Sequence, residues 1–150
     1  MDVKQMKDIL TKQIDAFVAG DWKAFRATLT DDASYEEEAT HRHVEGQDAI
    51  IQLNKGWRDA FPDVKAKLKD VVASGDSLVV EIEWSGTHTG TLTTPFGTIA
   101  PTNRVGRVSA VQVARFDGNK IRELRHYFDL LTILAQLGVV PQKGAPSPAP

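Results

Sequence analysis

The sequence predicts a single α+β domain in which a curved, mostly antiparallel sheet lies under three N-terminal helices. Three observations predict it. The length, 150 residues, fits one domain. Up to Phe61 the apolar residues recur at three- and four-residue steps, the period of helices packed on one side. From Val64 to Phe128 they alternate instead, and Asp117-Gly118-Asn119 divides two of the alternating runs as a hairpin turn does. Helices first and antiparallel strands after is the order of a fold with its helices on one sheet face.

Val3 to Val18 reads as an amphipathic helix, with Met6, Ile9, Leu10, Ile14, Phe17 and Val18 on its apolar side and Gly20 where it stops. Asp21 caps a short second helix from Trp22 to Leu29. Thr30 to Ala33 reads as a turn, and Ser34 to Val44 stays undecided because its Glu-rich middle opposes a strong assignment. A third helix runs from Gln47 to Phe61, with Ile50, Leu53, Trp57 and Phe61 on one stripe, and Pro62 ends it. Val64, Ala66 and Leu68 alternate with Lys65, Lys67 and Lys69, which is the pattern of a half-buried strand. Gly75-Asp76 turns the chain into a strand from Leu78 to Trp84. Residues 86–104, rich in Gly, Thr and Pro, read as a long loop or frayed strand ends. Val105 to Phe116 and Ile121 to Phe128 are the hairpin strands, and Asp129 to Leu137 has room for a last helical turn or two. The domain is expected to span 1–140, followed by a disordered Pro/Ala-rich tail over 141–150.

Composition narrows the function classes. Hydrophobic residues make up 41% and charged residues 25%, which is ordinary for a globular protein. The net charge of −2 comes with no long block of one sign, so neither nucleic acid nor an anionic membrane is an expected partner. The absence of cysteine excludes a disulfide framework, a thiolate metal site and a cysteine nucleophile. The N-terminus lacks a signal-peptide core and no apolar run approaches the ~18 residues of a span, so the expected location is the cytoplasm.

The last hairpin singles out two polar residues. Val108, Ala110, Ala114 and Phe116 share a parity on its first strand, as Leu124 and Phe128 do on its second. These faces should point at the core. Gln112 and His126 are the polar interruptions of the inward faces, opposite or diagonal to each other. They are either a satisfied core pair or the centre of a pocket. Glu83 has the opposite parity to Ile82 and Trp84, and either face could be inside; buried, it could serve as acid or base. His41 and His43 would share a strand face near Glu37, but no third anchor has metal-ligand spacing, so no metal site is expected. Tyr35 and Trp57 can line a pocket or simply fill core, and His88 in Gly86-Thr87-His88-Thr89-Gly90 falls in a loop at a pocket mouth or on the surface. Asp129 reads as a helix cap.

A series of short segments resembles one family in order and spacing. It runs Gly46-Gln47-Asp48-Ala49-Ile50, Trp57 with Phe61-Pro62-Asp63, Gly86-Thr87-His88-Thr89-Gly90, Pro101-Thr102-Asn103-Arg104, Asp117-Gly118-Asn119-Lys120-Ile121, and Tyr127-Phe128-Asp129 with Gln136-Leu137-Gly138. Over residues 3–140 the chain resembles the SnoaL-like polyketide cyclases of the nuclear transport factor 2-like superfamily. The resemblance implies a cone-shaped α+β barrel, a homodimer through the outer sheet face, and an intramolecular aldol condensation without metal or organic cofactor. It implies an acid/base aspartate at the position of His126 and an assisting histidine at that of Gln112, so the chain departs from the family at both. Limonene epoxide hydrolases are a second resemblance. Their arginine between two aspartates corresponds to Ser85 between Glu83 and His126, which argues against epoxide opening by that route.

The expected function is therefore proton-transfer chemistry of the cyclase or isomerase type on a small apolar carbonyl compound. His126 would be the acid/base and Gln112 its orienting or oxyanion-binding neighbour, while Tyr35, Glu37, Trp57, Glu83 and His88 would contact the substrate. The rivals are a protein that binds a hydrophobic metabolite without turnover, and an interaction module using Arg107, Val111, Val113 and Arg115 on the outer face.

Overall fold

The computed structural model describes residues 1–140; the tail expected to be disordered lies outside the described residues. Helix α1 (Val3–Ala19) opens on a capping box between Asp2 and Gln5 and closes on Gly20, whose φ of 71° is one glycine adopts freely. Helix α2 (Trp22–Ala27) is capped by Asp21 and is shorter than the sequence suggests. Leu29 already belongs to strand β1 (Leu29–Glu37), so the segment 30–33 is strand and not a turn. The register of β1 slips between Leu29 and Ser34. That irregularity leaves Asp31 and Asp32 in water while Ala33, Tyr35 and Glu37 turn inward.

A single 3₁₀ turn, Glu38–Thr40, leads into β2 (Arg42–Glu45), and then comes α3 (Gln47–Ala60). Strands β3 (Lys65–Ser74) and β4 (Ser77–Thr87) follow. A small separate hairpin, β5 (Leu92–Thr94) and β6 (Gly97–Ile99), occupies the segment whose composition suggests loop. Its root is tied down: Gly90 N–H donates to the Ala60 carbonyl at 3.1 Å, and the His88 backbone bonds Arg104 and Asn103 at 2.9 Å each. Strands β7 (Val105–Asp117) and β8 (Lys120–Phe128) form the long hairpin, and α4 (Leu130–Gln136) is the last helix of the described residues.

The main sheet runs β2-β1-β8-β7-β4-β3. Every neighbouring pair is antiparallel except β1 with β8, which is parallel. Register slips in β1/β8, β3/β4 and β7/β8 bend the strands, and the sheet curves around the helices. Leu78, Val80 and Ile82 of β4, with Ala114, Phe116, Ile121 and Leu124 of the long hairpin, pack against Met6, Leu10, Ile14 and Phe17 of α1 and Ile50 and Leu53 of α3. Each of these side chains larger than alanine contributes about 2 kcal/mol by burial.

Candidate active site

Within this core the layers do not fully close. A cavity of about 90 Å³ remains, with Ile14 and Phe17 of α1, Trp57 of α3, Trp84 of β4, Gln112 of β7 and His126 of β8 in its wall. One water needs roughly 10–15 Å³ of such space, so a small organic molecule has room. Ser85, Gly86, Arg107 and Phe128 are half-buried or exposed and form the rim.

The alternation of β7 and β8 places Gln112 directly opposite His126. The two are neighbours but share no hydrogen bond. Tyr35 Oη lies 2.9 Å from His126 Nδ1, and Trp84 Nε1–H donates to His126 Nε2 at 3.2 Å. An indole N–H can only donate, so Nε2 is the lone-pair nitrogen and Nδ1 carries the proton. Nδ1–H therefore donates to Tyr35 Oη, and Tyr35 donates onward to Glu37 Oε2 at 3.2 Å. Rings of Tyr35, Trp84 and Phe128 surround the imidazole. Burial pushes His126 down to about 4, while the charge of Glu37 pulls the other way, so the imidazole is neutral at pH 7. Burial, then Glu37, hold the Tyr35 phenol well above its ordinary value, so it stays protonated.

Glu37 is fully buried and sits behind Tyr35, outside the cavity wall. It therefore supports the site from behind and is not the substrate contact that the sequence suggests. Four donors meet its carboxylate. Trp57 Nε1–H at 3.0 Å and Tyr35 reach Oε2; Thr40 Oγ1 and an Arg42 guanidinium N–H, each at 2.7 Å, reach Oε1. Alternation on β1 sends residues 35 and 37 to the same face, and the parallel register sets Glu37 beside His126. The sheet thus carries an ordered chain of donors from Trp84 through His126 and Tyr35 to Glu37.

Two more residues expected at the site lie elsewhere. Glu83 is on the outer face of β4, 3.5 Å from Lys69 Nζ and 3.9 Å from Arg107 Nε, because the inward parity belongs to Ile82 and Trp84. The sheet separates it from the cavity. His88 is fully buried and not on a loop surface; its Nδ1 meets Thr102 and its ring packs on Phe61 outside the cavity wall. His43 pairs with exposed Glu45 at 3.3 Å, away from the site. Asp129 caps α4 through the Leu131 and Thr132 amides. Trp84, Thr40 and Arg42 hold parts of the site that sequence reasoning misses. The available signal for Trp84 is its parity with Leu78, Val80 and Ile82.

A six-stranded sheet bent over N-terminal helices around an interior cavity is the architecture of the ketosteroid isomerase-like fold. Within it this chain belongs to the SnoaL-like polyketide cyclase family, whose model matches residues 7–137. No curated protein matches the sequence. Solved structures do. A SnoaL-like protein from Jannaschia sp. CCS1 is 21% identical over 92% of this chain and 94% of its own, with a TM-score of 0.81. IdmH from Streptomyces antibioticus is 24% identical over 89% and 98%, with a TM-score of 0.74. A protein of ketosteroid isomerase-like fold from Catenulispora acidiphila, solved in complex with trimethylamine, is 20% identical over 88% and 93%, with a TM-score of 0.73. At these identities the likeness is one of fold.

Proposed function

We propose that this protein is a cofactor-independent enzyme that moves a proton at the carbon beside a carbonyl of a small apolar compound, as a cyclase or isomerase. The observation that carries this reading is the chain of hydrogen bonds through His126, whose lone-pair nitrogen belongs to a residue of an otherwise largely apolar cavity wall. In the forward step Nε2 takes the proton, the C–H pair moves toward the carbonyl oxygen, and an enolate forms. Trp84 N–H, displaced from Nε2, would be a donor for that oxygen. The imidazolium is balanced through Nδ1–H and Tyr35 by the carboxylate of Glu37. The enolate then attacks a second carbonyl, or is reprotonated at another carbon, and Nε2 returns the proton. Outer-face residues Val111, Val113 and Tyr127, set among Arg107, Arg115 and Arg125, fit a homodimer surface. A species of only 16.5 kDa at micromolar concentration would count against the dimer.

The test is deuterium incorporation from D₂O into aryl methyl ketones and cyclic 1,3-diketones, followed by proton NMR, together with native mass spectrometry of the protein as purified. Wild type should accelerate exchange of a fitting ketone, and His126→Ala should return it to the buffer rate. An equal rate in both removes His126 from the chemistry. A captured compound left unchanged by both would favour the binding protein.

A further inference from the structure

Among the described residues, four buried side-chain atoms lack a hydrogen-bond partner, and only Gln112 Oε1 belongs to the cavity wall. Gln112 is 5% exposed. It does not serve His126, whose two nitrogens are engaged by Tyr35 and Trp84. An acceptor buried without a partner is costly, and native proteins tolerate it mainly where something else supplies the missing donor.

The other polar groups of the wall point the same way. Gln13 commits its amide nitrogen to Thr28 Oγ1 at 2.8 Å, and Asn54 commits its own to the Ile50 carbonyl at 2.8 Å. Trp57 and Trp84 direct their N–H groups to Glu37 and His126. Gln13 and Asn54 thus leave their amide oxygens uncommitted in the wall. Among the described residues no ionised side chain lines the interior: Arg107 stands at the rim with its side chain 68% exposed, and the carboxylate of Glu37 is covered by its four donors behind Tyr35. A charged ligand would enter without a partner for its charge, which is far costlier than burying a neutral one.

We propose that Gln112 is the specificity-determining residue of this cavity, its side-chain oxygen accepting a hydrogen bond from a hydroxyl or N–H group of a neutral, otherwise apolar ligand. The inference rests on the reading of this cavity as the substrate site, and it adds what the substrate must carry. Because Gln112 stands directly opposite His126, with Cβ atoms of such a pair about 5 Å apart, the donor group and the carbon facing Nε2 would belong to neighbouring parts of the ligand.

Isothermal titration with three matched probes separates this from the chemistry: 2-naphthol donates, 2-methoxynaphthalene keeps shape without the donor, and 2-naphthoate brings a charge. Wild type should bind 2-naphthol about tenfold tighter than 2-methoxynaphthalene, and 2-naphthoate weakest. In Gln112→Met the preference for 2-naphthol should vanish, with 2-methoxynaphthalene bound at least as tightly as by wild type. Equal affinity of the neutral pair in wild type, failure of 2-naphthol to bind, or a preference unchanged in Gln112→Met would each overturn the proposal. The comparison within wild type needs no variant to fold. His126→Ala should keep the preference, and a wild type that shows the preference but no exchange above the buffer rate would sink the enzyme reading alone. Exchange without the preference would sink this one alone.

Discussion

The indole N–H of Trp84 ends on Nε2 of His126, 3.2 Å away, and so decides which nitrogen of the imidazole is free of a proton. In a ¹⁵N-labelled sample the His126 ring should show the Nδ1–H tautomer at neutral pH and should protonate only near pH 4, where burial has moved it. Trp84→Phe removes the donor and should raise the share of the Nε2–H form. A wild-type ring that titrates near 6.5 would contradict a buried, neutral histidine.

That depressed value has a consequence for stability. Between pH 6.5 and 4 the unfolded chain binds a proton at residue 126 that the folded chain does not. The stability owed to neutral His126 is thus complete above 6.5, declines as pH falls through that window, and declines no further below 4. Its size is on the order of 3 kcal/mol. Urea unfolding of wild type and His126→Leu across this range should show the steeper acid loss in wild type, and parallel curves would refute it.

Tyr35 connects the imidazole to its counter-charge, so it is a positioning residue. Tyr35→Phe should lower the deuterium-exchange rate by about 100-fold while the affinity for a matched ketone changes little. It should also alter the pH profile, because the imidazolium loses its link to Glu37. A fall in affinity with an unchanged rate would make Tyr35 part of the wall only.

Glu37 is buried with Arg42 as its cation, and the Arg42 side chain is 25% exposed. Arg42→Met leaves the carboxylate inside without that partner and should cost about 3 kcal/mol in urea unfolding. Adding Glu37→Gln to it should recover part of the loss. If the double variant is the less stable by the sum of both changes, the pair is not coupled.

Gly90 passes against the end of α3 so closely that a Cβ there would stand 1.9 Å from the Asp59 carbonyl oxygen. Gly90→Ala must therefore move backbone and should cost about 2 kcal/mol in thermal unfolding. A variant as stable as wild type would show that the hairpin root can shift freely.

Much of this arrangement is legible in the residues because it depends on local periodicity. The helices follow from their stripes, and the inward placement of Gln112 and His126 follows from strand parity with the Asp117-Gly118-Asn119 turn. What escapes depends on distant pairing. Glu37 lies in an acidic segment that argues against a strand on its own, and only Arg42, Thr40, Trp57 and Tyr35 together make its burial tolerable. The face of Glu83 is ambiguous in the sequence because either parity of its strand is plausible; lysine and arginine on the adjoining strands settle it outward. Gly and Thr around His88 suggest an open loop, whereas Thr102, Arg104 and Phe61 enclose it from elsewhere in the chain.

The parallel pairing of β1 with β8 also dictates when the site can exist. Tyr35 and Glu37 are made well before His126, which follows Tyr35 by 91 residues, and only the pairing of their two strands brings them together. Such long-range pairing closes late and slows folding. On the ribosome the buried carboxylate of Glu37 must wait for almost the whole described chain to emerge, so the nascent N-terminal half holds an acidic strand without its final neighbour. The hydrogen-bonded chain from His126 through Tyr35 to Glu37 and the pairing of β1 with β8 are one event.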